Sequence, residues 1–186
     1  MTEYIVLALV ILTALYAIKV YNSLVSGRNS VENAWRQIDV QLKRRLDLIP
    51  NLVETVKGFM AHEKDVLTQV TEARTRAYNA GSRSEAIESN NLLSNATANL
   101  LAVMENYPDI KAQGNVSDLT EELTTTENKV AFSRQHYNDV TTNQNNRVQQ
   151  FPSNLVANLF KFALEELWEL DEATRQEAQD APKVSF

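Results

Sequence analysis

The sequence predicts an all-α protein, with an N-terminal transmembrane helix followed by an elongated bundle of three long helices and a shorter C-terminal helix. Turn-forming residues are scarce, since the 186 residues include only 4 Gly and 4 Pro, while 44% of the chain is apolar. This composition favours a few long helices over many short strands. Apolar side chains also recur every three or four positions along most of the chain, which is the spacing of one helix face.

The first element is the uncharged segment YIVLALVILTALYAI, which begins at Tyr4. Lys19 follows it, at a place where a long side chain can extend its ammonium group to the lipid headgroups. The three tyrosines Tyr4, Tyr16 and Tyr21 resemble the aromatic residues that border membrane spans. A helix from Tyr4 to Tyr21 rises about 27 Å, close to the thickness of a thin hydrocarbon core. The pattern predicts a transmembrane anchor over residues 1–22, with these three tyrosines and Lys19 at the membrane interface.

A cleavable signal peptide and a buried core helix are the two other interpretations of this segment. The N-terminal MTE has no basic residue and no A-x-A sequence follows, whereas a signal peptide has both features. Apolar residues surround the whole helix, which argues against a surface helix. Three basic residues (Lys19, Arg28 and Arg36) follow the span and none precedes it. The positive-inside rule therefore predicts a single-pass protein with its N-terminus outside and its body in the cytoplasm.

A first long helix is predicted from Ser30 or earlier to Asn79, within a bundle that covers residues 23–150. Whether the anchor continues into this helix is left open, and Gly27 is a candidate hinge. A flanking apolar row makes the stripe wide enough to contact two or more neighbouring helices. Two seams at heptad spacing form the stripe: Leu24, Val31, Ile38, Arg45, Leu52, Phe59, Val66 and Ala73, and Trp35, Leu42, Ile49, Val56, Glu63, Val70 and Ala77.

Arg45 and Glu63 are the polar positions of these seams. One interpretation is that each side chain extends to solvent at the edge of the bundle. The other is that each meets a charge from another helix or subunit and so fixes the register of packing. Candidate partners are Glu105, Glu127 and Arg134.

Pro50 lies off both seams, on an outward row with Lys43 and Lys57. A proline inside a helix costs about 3 kcal/mol, because it removes one hydrogen bond and its ring clashes with a carbonyl. Burying Ile49 and Leu52 contributes roughly 1.5–3 kcal/mol each, which outweighs that cost. We therefore expect Pro50 to bend a continuous helix around the core. The basic row is either a solvated face or a contact for anionic lipid or an acidic partner.

Three further helices are predicted, over residues 84–107, 117–150 and 152–172. The inner face of the helix over residues 117–150 is notably polar (TTTEN and YNDVTTNQNN). The last is an amphipathic helix within residues 151–173, and an acidic tail follows at 174–186. The seam tryptophan Trp35 and the last-helix aromatics Phe160 and Trp168 are predicted, with Arg45, Glu63 and Pro50, to have structural or interaction roles.

The composition also limits the chemistry of the protein. Cysteine is absent, so disulfides and thiolate catalysis are excluded. A net charge of −6 is unlike that of a nucleic-acid-binding domain. His62 and Glu63 begin like a zinc-protease motif, but Val66 stands where the second histidine is needed. The sequence predicts no enzymatic activity, no catalytic residue, no cofactor and no metal site.

Several long stretches resemble the LemA family. These are YNSLVSGRNSVENAWRQIDVQLKRRLDLIPNLVETVKGFMAHEKDVLTQVTEAR, LLAVMENYPDIKA, TENKVAFSRQHYND and FPSNLVANLF, in the same order as in that family. The resemblance covers about residues 1–160, and KFALEELWELDE departs from the family's KPxPFFE-like stretch. It implies a bacterial single-pass inner-membrane protein with an antiparallel helical bundle and no established enzymatic activity.

We therefore expect a non-enzymatic scaffold in the inner (cytoplasmic) membrane that self-associates through its bundle and organises or remodels the lipid bilayer. The expected partners are the bilayer and further copies of the chain, and nucleic acid is not among them. The alternative is an adaptor or regulator of another membrane protein. The resemblance suggests an integral membrane metalloprotease as that partner.

Overall fold

The computed structural model describes residues 1–111 and 113–169, and within them regular secondary structure is entirely helical. The all-α prediction is confirmed. The helices are α1 (Thr2–Val56), α2 (Lys64–Tyr78), α3 (Arg83–Met104), α4 (Pro108–Lys111), α5 (Gly114–Gln149) and α6 (Ser153–Leu159). The predicted acidic tail at 174–186 lies outside the described residues, and the predicted boundary between anchor and bundle at residue 22 stays a prediction.

The apolar N-terminal segment and the first bundle helix form one continuous helix, α1. Gly27 is buried inside this helix, so it does not act as a break between the two parts. A Cβ at Gly27 would overlap the side chain of Gln144 in α5. Glycine at this position therefore permits close approach of two helices rather than bending.

The prediction of one helix from Ser30 to Asn79 is wrong, because α1 ends at Val56. Residues 57–63 form a turn whose backbone bonds include Met60 N–H to the Val56 carbonyl (3.0 Å). The side chain of Met60 is fully buried, so the turn closes over the core. Helix α2 then folds back along α1, since Arg74 contacts the carbonyl of Leu46.

The chain divides into two compact units, and α1 and α5 contribute to both. The first unit comprises residues 1–38 and 133–167. Its α1 and α5 segments are antiparallel, because Gln144 bonds to the carbonyl of Leu24 and Tyr137 lies against Trp35. One apolar cluster of its core consists of Leu24, Val148, Val156 and Ala157, with Ala17, Val20 and Phe162 packed beside it.

The second unit comprises residues 39–132 and, among the described residues, 168 and 169. Segments of α1, α2, α3 and α5 supply its core, and the short α4 adds Ile110. Its largest fully buried apolar side chains are Ile49, Leu52, Met60, Leu93, Leu100, Ile110 and Leu123. The seam residues up to Val56 are thus used as predicted, whereas Phe59 beyond it is 45% exposed.

The last predicted helix is much shorter than expected. Helix α6 ends at Leu159, and no regular structure is present from 162 to 169. Lys161 has a left-handed backbone (φ 56°), and its N–H and that of Phe162 bond back to the carbonyls of Asn158 and Ala157. This pair of bonds is a Schellman cap, which ends a helix. The cap usually contains glycine, so the lysine gave no sequence signal for it.

Candidate functional site

The first part of α1 is a candidate membrane anchor. Residues 1–16 are all exposed. Within the described residues, α1 is the helix long and apolar enough to cross a membrane. The predicted interface residues Tyr4 and Tyr16 are 77% and 47% exposed, Lys19 is exposed, and Tyr21 is 37% exposed. A helix that leaves so many large apolar side chains uncovered needs an apolar surrounding to satisfy them.

An aromatic cluster lies where this bare segment meets the first unit. The ring centroid of Tyr21 is 4.7 Å from that of Phe160 and 5.9 Å from that of Phe162. The guanidinium carbon of Arg28 lies 5.6 Å from the centre of the Phe162 ring. The predicted residue Phe160 therefore contacts one of the predicted interface tyrosines.

Arg45 forms the centre of a buried polar cluster in the second unit. Its side chain is completely buried, and its Nη1 donates to both carboxylate oxygens of Glu127 at 3.0 Å and to Ser94 Oγ at 2.6 Å. Its Nη2 donates to the side chain and the carbonyl of Asn90. Glu127, one of the three candidate partners, retains 25% exposure of its side chain. Arg45 therefore links α1 with α3 and α5 inside one chain.

Electrostatics at Arg45 combine two opposing effects. Burial lowers the pKa of the guanidinium, and the charge and hydrogen bonds of Glu127 oppose that change. Arginine nevertheless stays protonated in proteins, so the cluster holds a fixed buried cation beside a carboxylate. Its Nε has no hydrogen-bond partner among the residues that the structure describes. This cluster suits a register-fixing role and offers no proton for catalysis at neutral pH.

Pro50 is exposed and lies inside α1 without ending the helix. Because proline has no N–H, the carbonyl of Leu46 lacks its usual helical partner. Arg74 of α2 supplies a replacement, donating from Nε to that carbonyl at 2.9 Å. The proline thus creates an acceptor on α1 that holds α2 in place.

Glu63, the other polar seam residue, occupies the N-cap position of α2 without a side-chain cap bond and is half-buried. Tyr107 donates its hydroxyl proton to Glu63 Oε1 at 2.9 Å. This bond to a carboxylate raises the pKa of the Tyr107 phenol, with partial desolvation and the charge of Glu63 contributing further. The sequence did not identify Tyr107 as the partner.

The two predicted tryptophans lie in different units. Trp35 is half-buried, with its ring edge-on to that of Tyr137 at 5.5 Å between centroids. Trp168 is 3% exposed and donates its indole N–H to Asn91 Oδ1 at 2.8 Å. Both side chains serve packing.

Residues 162–167 are held by side chains of α5 instead of by helical bonds. Asn145 exchanges two hydrogen bonds with the backbone of Glu165, at 2.8 and 2.9 Å. Tyr137 donates its hydroxyl to the carbonyl of Glu166 at 2.5 Å. These contacts explain part of the polar face of α5, whose Thr141 and Gln144 are also buried.

A groove of about 740 Å³ lies between α1 and α2 in the second unit. Its walls include Pro50 and mix apolar with charged side chains. The lining residues are Ile49, Pro50, Val53, Glu54, Lys57, Met60, Ala61, Lys64, Leu67, Thr68, Thr71, Glu72 and Arg74. No group of three or more histidine, aspartate or glutamate side chains in the described part of the chain is arranged to hold a metal ion.

The residues that sequence reasoning missed are those whose roles depend on long-range register. Asn90, Ser94 and Arg74 carry no local pattern that marks them as partners of α1. For Arg74 a weak signal existed, because Pro50 frees the carbonyl of Leu46 and a donor must satisfy it if it is buried.

Comparison with known proteins places the chain among proteins without a named reaction. Protein LemA of Metamycoplasma hominis is 24% identical over 137 residues, a stretch that covers 73% of this chain and 63% of that protein. Magnetosome proteins MamQ 1 and MamQ 2 of Paramagnetospirillum magneticum are each 23% identical over 163 residues, covering 74% of this chain and 60% of each relative. The chain therefore spans less than two thirds of the length of these curated relatives.

The family match has different limits from the resemblance deduced from the sequence stretches. It begins at residue 34, after the apolar segment, and continues to residue 186, past the point near 160 where the resemblance was expected to end. Most of the chain, including the divergent C-terminal stretch, is thus covered, and the chain belongs to the LemA family.

Proposed function

We propose that this protein is a non-enzymatic, single-pass membrane scaffold that self-associates through its helical bundle and organises or remodels the membrane. The observation that carries the proposal is the exposed apolar segment of residues 1–16, which continues without a break into a bundle helix. Continued through Lys19 to Tyr21, the apolar helix from Tyr4 rises about 27 Å, which suits a bilayer, and its exposure to water is costly.

The scaffold role is supported by the chemistry of the buried polar groups. Arg45, Glu127 and Asn90 are engaged with one another between helices, and Glu63 is engaged with Tyr107. Side chains used in this way fix packing and are not available to a substrate. The names of the three relatives also state no reaction.

Self-association is supported by large apolar side chains on the outside of the second unit. Val40 is 63% exposed and Phe132 is 75% exposed. Phenylalanine is enriched at protein–protein interfaces relative to the rest of the surface. A second copy of the chain is the proposed occupant, because every copy in one membrane presents the same surface at the same side.

Cysteine crosslinking in membranes tests self-association directly, since the natural chain has no cysteine. We expect Phe132→Cys to form a disulfide-linked dimer on mild oxidation. Asp118→Cys is the matched control, because it places a thiol on an exposed polar position of the same helix and should remain monomeric. A monomer for both variants, together with a monomeric mass in mild detergent, would overturn the scaffold proposal.

The proposed orientation places the N-terminus outside the inner (cytoplasmic) membrane and the body in the cytoplasm. It rests on Lys19, Arg28 and Arg36, which follow the span. Thr2→Cys should react in whole cells with a thiol reagent that does not cross the inner membrane, whereas His62→Cys should react only after lysis. The reverse pattern would show that the body is outside.

The groove beside Pro50 favours a second candidate function, that of an adaptor or regulator for another membrane protein such as an integral membrane metalloprotease. A groove of about 740 Å³, with apolar and charged side chains in its walls, is large enough for side chains of a partner helix. Crosslinks from Thr68→Cys to one dominant foreign protein, without self-crosslinks, would favour the adaptor over the scaffold.

A further inference from the structure

Helix α6 and Phe151, which lies two residues before it, carry exposed apolar side chains that the bundle does not cover within the described chain. Phe151 is 79% exposed, Leu155 62% and Leu159 75%. They are spaced four residues apart, which places Leu155 and Leu159 on the same face of α6. The neighbouring Val156 and Ala157 are buried against the core of the first unit. The short helix is therefore apolar on two sides, and one of them has no cover within the described chain.

The position of α6 along α1 suggests what covers this face. Ala17 and Val20 pack against the same core as Val156 and Ala157, and Tyr21 contacts Phe160. Residues 1–16 of α1 are exposed throughout. Helix α6 thus lies at the level of α1 where the packed body ends and the bare apolar segment begins.

The charges around α6 differ from those of the whole chain. Residues 147–164 contain two basic side chains, Arg147 and Lys161, and no acidic one, and residues 19–28 contain Lys19 and Arg28 and no acidic one. The whole chain carries a net charge of −6. Acidic residues resume at Glu165 and Glu166. A local excess of cations beside exposed apolar side chains matches the headgroup layer of an anionic membrane.

We propose that α6 is a second, non-spanning membrane contact, in which Phe151, Leu155, Leu159 and Phe160 insert into the interfacial layer of the leaflet nearest the body. This proposal rests on the proposed transmembrane role of α1. Two attachments, one through the bilayer and one in its surface, limit the rotation and tilt of the first unit relative to the membrane. The bound partner is the lipid surface itself, with anionic headgroups near Lys161 and Arg28.

Depth-dependent quenching in lipid nanodiscs tests the proposal on the full chain. Single variants Leu155→Cys, Leu9→Cys and Asp118→Cys, each labelled with an environment-sensitive fluorophore, are placed in nanodiscs of phosphatidylcholine and phosphatidylglycerol; Asp118 is an exposed polar position of the second unit. We expect the label at 155 to shift to the blue and to be quenched by nitroxides at headgroup depth. The label at 9 should be quenched by nitroxides deep in the acyl chains, and the label at 118 should respond to iodide in water.

The outcomes separate this proposal from the proposed anchor. If the label at 9 is quenched in the acyl chains but that at 155 responds only to iodide, α6 does not touch the membrane and the anchor stands. If the label at 9 responds to iodide, the anchor itself is wrong. A label at 155 that neither lipid nitroxide nor iodide quenches is covered by protein, which would overturn the membrane contact in favour of a second copy.

A charge variant tests the role of the headgroups. Lys161→Gln should reduce the headgroup-depth quenching at 155 in nanodiscs that contain phosphatidylglycerol and change it little in pure phosphatidylcholine. Lys43→Gln, at an exposed lysine of the second unit, is the matched control and should have no effect in either lipid. Equal responses of the two variants would show that charge near α6 does not contribute to binding.

Discussion

The first 16 residues of α1 and the residues from Leu24 to Val56 are both rich in apolar side chains, yet they have opposite surroundings. In the first segment every residue is exposed. In the second, buried positions such as Ile38, Leu42 and Ile49 recur at spacings of three, four or seven and face other helices. The amount of apolar surface is therefore less informative than its distribution around the helix.

This difference indicates that the two segments of α1 suit different surroundings. An apolar side chain in a stripe can be covered by neighbouring helices, while the opposite face stays in water. Apolar side chains all round a helix cannot be covered by one bundle and require lipid or protein on every side. A charge placed in the first segment should therefore weaken membrane binding, whereas a charge at a buried position of the second segment should destabilise the fold.

The largest expected effect separates the two segments directly. Ile49→Asp places a carboxylate in a site that is 1% exposed, at a cost of several kcal/mol, a large part of a typical folding free energy of about 5–15 kcal/mol. We expect the second unit to unfold, as measured by circular dichroism and protease sensitivity. Ile11→Asp should leave the unfolding midpoint unchanged but release the protein from membranes, since a charge near the centre of a span costs about 2.5–3.5 kcal/mol.

A third charge variant of α1 is the control, measured by unfolding and by fractionation of membranes. Gln37→Asp puts the same charge on an exposed position of α1 and should change neither stability nor membrane binding. If Ile11→Asp destabilised the body as much as Ile49→Asp, the two segments would share one environment and the comparison would fail.

The buried ion pair should respond asymmetrically to loss of its two members. Glu127→Leu leaves the completely buried Arg45 without a counter-charge and should cost about 3–5 kcal/mol. Arg45→Leu leaves Glu127, which already reaches solvent, and should cost less. The double variant should recover part of the loss, as measured by urea unfolding. Equal losses for both single variants would contradict this account.

The hydrogen bond between Arg74 of α2 and the carbonyl of Leu46, which Pro50 leaves without a helical partner, can be measured with a double-mutant cycle. Arg74→Met removes the donor to the carbonyl of Leu46 and should cost roughly 1–3 kcal/mol. In a Pro50→Ala background the new backbone N–H can serve that carbonyl, so the same change should cost less. Additive effects in thermal unfolding would show that Pro50 and Arg74 are not coupled.

Close approach of α1 and α5 in the first unit should make Gly27 sensitive to added volume. Gly27→Ala displaces the side chain of Gln144, and we expect a loss of about 1 kcal/mol, near the low end of typical overpacking costs. In a Gln144→Ala background, Gly27→Ala should cost less stability, because the side chain that it displaces is gone. Gly58→Ala is the control, because a Cβ there meets no atom within 4 Å. Loss of stability at Gly58 but not at Gly27 would contradict the packing argument.

The smallest effect concerns pH at the turn that closes the core. The folded-state pKa of Tyr107 is raised by its bond to Glu63, above the unfolded value of about 10. The stabilising contribution of this hydrogen bond is therefore complete below the unfolded-state pKa of about 10, and it is lost as pH rises through the folded-state pKa. The difference in Tm between the natural chain and Tyr107→Phe should shrink above pH 10. A difference that stays constant through this range would show that the bond to Glu63 does not raise the pKa of Tyr107 in the folded state.

The sequence predicts the helical class, the apolar stripe and most of its buried positions, because these depend on local spacing. It does not predict the end of α1. Val56, Met60 and Leu67 keep a spacing that a continuous helix also satisfies, so periodicity alone cannot detect the reversal between them. Gly58 is the weak local signal. The early end of α6 also has no local sequence signal, because its cap uses Lys161 where such a cap usually contains glycine.

The candidate sites divide along a similar line. A lone arginine on an apolar seam predicts a partner, and Glu127 was among three candidates. Asn90 and Ser94 could not be chosen, because their positions depend on the register of α3 against α1. The polar face of α5 was visible as a pattern, but its use by the backbone of Glu165 depends on where the chain returns.

The contact between Arg74 and the carbonyl of Leu46 has a consequence for substitution during evolution. The acceptor is a backbone atom, so the identity of the side chain at residue 46 does not affect it. The constraint falls instead on two positions far apart in sequence, the missing N–H at Pro50 and the guanidinium at Arg74. We expect this hydrogen bond to tolerate a change of the side chain at residue 46, and relatives to exchange Pro50 and Arg74 together, so that covariation of these two positions would identify how α2 docks.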